Sequence, residues 1–185
     1  MKLPEKKYAV IYADPPWSYR QHGTGPKSRG NAAQHYHTMT VEDICALPVR
    51  QLAGGGQGCA LFMWATFPTI PDALRVMEAW GFTYKTAAFV WIKKYKSGGN
   101  FYGMGAYTRA NAEVCLLGVT PGFKAKELVK SHSVHQVIES PIQAHSIKPD
   151  EARRRIVELL GDVPRIELFA RQHAPGWDAW GDELE

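Results

Sequence analysis

Apolar residues in this chain cluster in short continuous runs separated by polar, Gly- or Pro-rich stretches, and several of the intervening stretches carry a helical period. The runs Tyr8–Ala13, Cys59–Ala65, Tyr84–Lys93, Glu113–Val119 and Arg165–Ala170 read as buried strands, and Val134–Ile138 as a shorter one. Thr40, with an acid three residues on at Asp43, has the form of a helix start. Val41, Ile44, Cys45 and Leu47 then suit a short helix that stops near Pro48. Pro71–Trp80 reads as a helix with a proline near its start and Gly81 as its stop. Pro149–Leu160 reads the same way, with Asp150 and Glu151 at the positive end, Ile156, Val157, Leu159 and Leu160 inward, and Gly161 after it. Residues 120–145 are mixed and polar, and 172–185 reads as loop with Trp177 and Trp180 in it. Strands alternating with helices predict a mostly parallel sheet covered on both faces.

The stretch 18–39 has no hydrophobic period and is rich in Gly, Ser, Asn, His and Tyr. A loop of that length inside a compact domain is functional or disordered, and its position straight after Trp17 suits a lid. Gly54-Gly55-Gly56-Gln57-Gly58 is a turn without the Gly-Lys-Ser/Thr ending of a phosphate loop.

The length of 185 residues fits a single domain, 1–185, with core enough to fold alone. No apolar run approaches the roughly 18 residues a membrane span needs. The first strand begins almost at once, so no leader is expected. Cys45, Cys59 and Cys115 are odd in number and far apart, which fits reduced thiols of a cytoplasmic protein. Neither they nor the His pairs 35/37 and 132/135 have metal-site spacing, and no metal is expected. The net charge of +4 permits a polyanionic partner without requiring one. Lys27, Arg29, His35 and His37 in one loop, and Lys93, Lys94, Lys96 and Arg109 near another, form a basic rim if the two segments meet; otherwise they are solvated loop charges.

The most specific chemistry lies at the end of the first strand, where Asp14-Pro15-Pro16-Trp17 follows the apolar run. Two consecutive prolines fix φ and remove two N–H donors, leaving carbonyl acceptors beside the Asp14 carboxylate. Trp17 adds a flat apolar face. At the carboxyl edge of a central strand, where open α/β sheets bind ligands, such a pocket edge suits a planar heterocycle bearing an exocyclic amine.

The string YADPPWSYR at 12–20, followed by HYHTMTVEDICALPV at 35–49, resembles the DPPW-type adenine methyltransferases. That family includes the catalytic subunit of the eukaryotic messenger-RNA adenine methyltransferase and many bacterial and phage relatives. The likeness continues through LFMWAT (61–66), 73–94, GAYTRANAEVCLLG (105–118), SIKPDEARRRIVELL (146–160) and RIELFARQHAPGWDAWGDE (165–183). It implies a Rossmann-like class I methyltransferase fold, three-layer α/β/α, circularly permuted so that the catalytic strand comes first and the cofactor motifs last. It also implies methyl transfer from S-adenosylmethionine to the 6-amino group of adenine. Asp14 and the Pro15 carbonyl would accept the amine's N–H bonds and free its lone pair, with Pro16 stiffening the edge and Trp17 stacking on the base. For the cofactor the resemblance implies Asp14 among the binding residues, Lys148 at the methionyl carboxylate, Arg171 and His173 at the ribose, Asp182 and Glu183 at the ribose or adenine, and Glu167 orienting neighbours or the cofactor. Asp182-Glu183 departs from the Asn-Gln of the eukaryotic enzyme, and Ala174 stands where that enzyme has Asn, leaving room for backbone contacts there. Tyr19 and Tyr36 are further stacking candidates, and Arg109, Asn111 and Glu113 border the substrate pocket in relatives.

DNA is favoured over RNA because the compact chain looks like a bacterial or phage enzyme, although the pocket reads the base and not the 2′-hydroxyl. A catalytically inactive nucleic-acid-binding partner subunit is the reading from another class. It fits less well, because the tetrad and Lys148 are intact. A homo- or heterodimer is left open.

Overall fold

The computed structural model describes residues 2–18, 38–54, 56–105, 107–143, 147–182 and 184. Its centre is a seven-stranded sheet. In chain order the elements are β1 (Val10–Ala13), α1 (Val41–Ala46), β2 (Ala60–Ala65), α2 (Ile70–Ala79), β3 (Thr83–Lys94), β4 (Ala112–Val119), α3 (Ala125–Leu128), β5 (Val137–Pro141), α4 (Asp150–Leu160), β6 (Arg165–Leu168) and β7 (Asp178–Trp180). Across the sheet the strands lie in the order β5-β3-β4-β2-β1-β6-β7. β1 pairs in parallel with both β2 and β6, β6 with β7, and β3 with β5. Only β4 runs against its neighbours, β2 and β3. The expected mostly parallel sheet is therefore present.

Period-two alternation sends the strand side chains into two separate layers. Ile11 and Ala13 of β1, Leu61 and Met63 of β2, and Ile166 and Leu168 of β6 pack with Ile44 of α1 and with Ala73, Val76 and Met77 of α2. Val10, Tyr12, Phe62 and Trp64 face the other way, against Ala152, Ile156 and Leu160 of α4. Because both faces are covered, the central strands are apolar at nearly every position, which is what made them legible as continuous runs. The Trp80 indole N–H donates to the Ile44 carbonyl at 2.9 Å and ties α2 to α1. The Thr40 cap forms as expected, with the Asp43 amide donating to its hydroxyl at 3.1 Å.

Two expectations are corrected. The tail contains β7, whose pairing of Ile166 to Asp178 and Leu168 to Trp180 extends the sheet beyond β6. Asp-Ala-Trp has no apolar run to announce a strand; its position is fixed from outside, by the Tyr8 hydroxyl donating to Asp178 at 2.7 Å and by Phe169 meeting Trp180 edge to face. The strand expected over 134–138 lies at Val137–Pro141, at the sheet edge where proline is tolerated. The suggested lid, 18–39, falls almost wholly outside the described residues. Among the described residues no helix is long and apolar enough to cross a membrane.

β1 is flanked by the next strand in the chain on one side and by a strand from the far end of the chain on the other. That reversal opens a crevice at the carboxyl ends of β1 and β6, the place where α/β sheets take ligands. At the opposite end of the sheet, Gly58 turns the chain into β2 with φ of +86°. A Cβ there would lie 2.7 Å from the Phe123 Cα. Gly58→Ala is expected to lower stability by at least about 1 kcal/mol in chemical denaturation, from left-handed strain and the backbone clash together.

Candidate active site

The tetrad leaves β1 in a tight turn. The Trp17 amide donates to the Pro15 carbonyl at 2.8 Å, and the Met39 amide to the Pro16 carbonyl at 2.9 Å. The Pro15 carbonyl therefore keeps one lone pair for a ligand, not two. Trp17 is also placed differently from the expected open platform. Its ring is 6% exposed, packs in the α1–α2 layer, and donates its indole N–H to the Trp64 carbonyl at 3.0 Å. The turn carries it over the sheet edge, where the apolar layer covers it. In this structure it anchors the turn.

Asp14, half-buried, points across the crevice to Lys148. The lysine arrives from the segment before α4, whose N-cap is the extended residue Pro149. Its Nζ lies 2.8 Å from Asp14 Oδ2 and 3.3 Å from Glu113 Oε2, over the Trp64 ring at 5.9 Å, with the side chain only 9% exposed. Glu113, at the start of β4, is held on its other oxygen by Lys93 of β3 at 2.5 Å. Positive and negative groups thus alternate along a row, Lys93–Glu113–Lys148–Asp14. Burial works against the charge on Lys148, but Asp14 and Glu113 outweigh it and hold the ammonium above its ordinary pKa. Burial likewise opposes charge on Glu113, and the attraction of Lys148 and Lys93 wins, so its carboxyl sits below the usual range.

A second buried pair stands behind the first. Arg153 of α4 grips Glu167 of β6 with both arms of its guanidinium, at 2.7 and 2.8 Å, also reaches Asp150, and lies over the Tyr12 ring at 5.7 Å. Such a fork is the geometry a planar guanidinium offers a carboxylate. Burial nonetheless prevails at Glu167, whose pKa is raised despite Arg153. Tyr12 accepts the Trp64 indole N–H at 2.7 Å, so the buried hydroxyl is satisfied.

Of the other expected residues, Arg171 is partly buried and closes, with Gln172 and Phe169, a cleft shared with Asp14, Lys148 and Glu167. The cleft holds about 20 Å³ of free space, room for about one water molecule. Phe169, one of its lining residues, has φ of 59°, a strained value for a non-glycine residue and one found preferentially at functional sites. His173 is exposed and lines a neighbouring groove of about 500 Å³ with Asp150, Arg153, Arg154, Arg165 and Trp177. Asp182 is exposed just past β7, and Arg109 is exposed on the loop between β3 and β4. Asn111 contributes its carbonyl, which accepts the Lys93 amide at 2.8 Å. Tyr19, Tyr36 and Glu183 lie outside the described residues, as do Lys27, Arg29, His35 and His37 of the expected basic rim. Of the rim's remainder, Lys93 turns inward to Glu113 and Lys94 pairs with Glu139.

Lys93, Arg153, Tyr12 and Trp64 are the site residues that the sequence reading missed. Arg153 carried a signal: it lies three before Ile156 and seven before Leu160, on the inward face of α4. Glu167 likewise occupies an inward position of β6, on the α4 face.

Two outcomes are expected. Glu113 has a depressed folded-state pKa, so its contribution to stability is present above the ordinary carboxylate pKa and is lost as pH falls through the depressed value. Between about pH 6 and about pH 3, wild-type stability in urea should fall more steeply than that of Glu113→Gln, which lacks this group. Parallel curves would show that the pair carries no net linkage. Arg153→Ala strands the buried Glu167 carboxylate and should cost about 3–5 kcal/mol, whereas an Arg153→Met/Glu167→Leu double variant should regain most of the loss.

The match to known proteins covers these same residues. A family profile described as MT-A70 matches residues 8–183. The type II methyltransferase M.MunI of a Mycoplasma species is 33% identical over 99% of this chain and 80% of its own length. The human N(6)-adenosine-methyltransferase catalytic subunit METTL3 is 27% identical over 97% of this chain and 28% of its own. A probable N(6)-adenosine-methyltransferase MT-A70-like protein of Oryza sativa subsp. japonica is 27% identical over 96% of this chain and 23% of its own. The chain thus spans most of the bacterial relative and about a quarter of these eukaryotic ones. With the tetrad at the end of β1 and its partner lysine at the start of α4 both inside a match of nearly full length, the chain belongs to the MT-A70 family of methyltransferases.

Proposed function

We propose that this protein transfers a methyl group from S-adenosylmethionine to the exocyclic 6-amino group of adenine in DNA. The observation that carries the reading is the buried Lys148–Asp14 pair, 2.8 Å apart at the carboxyl end of β1. A cation and an anion side by side complement the zwitterionic head of an amino-acid cofactor, the lysine for its carboxylate and the aspartate for its ammonium. The donor set therefore fits. When bound, S-adenosylmethionine supplies an electrophilic methyl on a sulfonium. Arg171, which lines the cleft beside Asp14 and Lys148, and His173, in the neighbouring groove, are the residues that would hold the ribose, with Asp182, exposed past β7, as a further polar group for it.

The rest falls to the chain's own residues. An adenine amine is a weak nucleophile because its lone pair is delocalised into the ring. Asp14 and the remaining lone pair of the Pro15 carbonyl accept its two N–H bonds, which pulls the nitrogen towards tetrahedral geometry. Asp14 and Glu113 hold the Lys148 ammonium above its ordinary pKa, so the lysine offers the cofactor's carboxylate a fixed positive charge. Positioning supplies much of the rate in such a site. A paired adenine must leave the duplex stack to reach it. DNA is favoured because the relative aligned over 80% of its length is a type II methyltransferase, whereas the adenosine methyltransferases align over only 23% and 28% of theirs.

The test is transfer from labelled S-adenosylmethionine to duplex DNA, single-stranded DNA and RNA in parallel. Duplex DNA should accept label at the adenine 6-amino group. Asp14→Ala should lower kcat by at least about a thousandfold, and Lys148→Ala should weaken cofactor binding by more than about tenfold in calorimetry. A wild-type protein that binds no S-adenosylmethionine would sink the proposal, and preference for RNA would move it to the other polymer.

A further inference from the structure

The segment joining β3 to β4 rises from the same end of the sheet as Asp14, because β3 runs with β1 while β4 runs against it. Its feet are pinned to the cluster. The Lys93 amide donates to the Asn111 carbonyl at 2.8 Å, and the Lys93 ammonium pairs with Glu113, which reaches Lys148 at 3.3 Å. Above the feet the chain folds on itself twice. Phe101 donates to the Lys93 carbonyl at 2.9 Å and Tyr95 packs edge to face on Phe101 at 5.4 Å. Gly103 then donates to the Ala110 carbonyl at 2.8 Å, and a Cβ on Gly103 would meet that oxygen at 2.7 Å. The close approach makes a narrow tip.

The tip presents the wrong side chains for a surface that meets only water. Tyr107 is fully exposed, Met104 91% and Tyr102 59%. The Arg109 guanidinium lies 3.5 Å from the Met104 sulfur. Lys93, Lys94, Lys96 and Arg109 are the charged residues between 93 and 111, and no Asp or Glu occurs among them. Flat and polarizable apolar groups on a purely cationic loop match a nucleic acid, whose bases take the first and whose phosphates take the second.

We infer that this tip is a contact surface for the DNA around the target adenine, with Tyr102, Met104 and Tyr107 against neighbouring bases and Lys96 and Arg109 on phosphates. The inference rests on the reading that DNA is the substrate. Extruding a base leaves a gap in the stack, and side chains of this shape fill such gaps in proteins that unstack DNA. The tip's foot at Lys93 pairs with Glu113, which reaches Lys148, so a duplex engaged there would present its extruded base on the side of Asp14.

The test uses a Tyr102→Ala/Tyr107→Ala variant and, separately, a Lys96→Ala/Arg109→Ala variant. All four side chains are exposed, and unchanged melting confirms that the fold is kept. Binding to a labelled random-sequence duplex is measured across salt, and methyl transfer is measured on native and heat-denatured genomic DNA. Loss of the two tyrosines should weaken duplex binding and lower kcat/KM on native DNA by about tenfold, and by less on denatured DNA, which has no stack to hold open. Loss of the two cations should weaken binding to all sequences and reduce the salt slope by about 1 to 2. Duplex affinity within about twofold of wild type in both variants would overturn the inference, as would retained affinity with altered sedimentation, which would make the tip a contact between copies. If the wild type moves methyl to no polymer, the proposed function fails on its own account. The binding arm still decides this surface: weakened duplex affinity upholds it and unchanged affinity ends it.

Discussion

The ion pair between Lys148 and Asp14 is the constraint around which this molecule is arranged. The residues are 134 apart in the chain and 2.8 Å apart in space. Their meeting requires that α4 start where β1 ends, and so that the crossover from β5 bring α4 and β6 back beside the first strand. An isolated buried ammonium would cost several kcal/mol, so Lys148 is tolerable only with its carboxylates present. Asp14 and Glu113 supply them from two different strands, and Lys93 from a third balances the second carboxylate. β1, β3, β4 and the start of α4 are thus held in one register by charges that none of them could bury alone.

The Arg153–Glu167 pair obeys the same logic one layer down. It joins α4 to β6 on the face that also holds Tyr12 and Trp64. Polar groups therefore run from the crevice into the sheet–helix layer in a satisfied chain, with the aromatic rings of Trp64 and Tyr12 lying under Lys148 and Arg153. Buried ion pairs rarely exceed well-packed apolar residues in stability. Their use here is directional: a fork between Arg153 and Glu167 fixes the rotation of α4, and that rotation aims Lys148.

Much of this was legible beforehand, for a reason. β1, β2 and β4 are buried on both faces, so their runs stand out as continuous apolar stretches, and Thr40, Gly81 and Gly161 punctuate the helices by the chemistry of helix ends. Asp14-Pro15-Pro16-Trp17 and Lys148 were legible as chemistry through the family they resemble. What sequence could not carry was direction. Nothing in Pro-Pro-Trp says whether the indole faces the crevice or the core, and it faces the core. Lys93 read as one more rim charge because its partner, Glu113, lies on another strand. Arg153 sat on the inward face of its helix, where a charged residue signals a buried partner, but Glu167 became that partner only once β6 was placed beside β1. β7 was invisible because its register comes from Tyr8 and Phe169 rather than from its own residues.

The charge row also constrains how a cofactor enters. Lys93, Glu113, Lys148 and Asp14 sum to zero, so this row by itself adds no net charge to the crevice. A zwitterionic head that inserts between Lys148 and Asp14 replaces one contact between opposite charges by two, and leaves the sum unchanged. The exchange is close to neutral in Coulomb energy, since each side chain trades one partner for another. Under the proposed function, affinity would then come from contacts beyond the head, on the side where Arg171 and Gln172 line a cleft of about 20 Å³, and from the apolar surface those contacts remove from water. Under the proposed function, Lys148 and Asp14 would set where the cofactor's head lies, while the segment after β6, strained at Phe169, would set how tightly the whole is held.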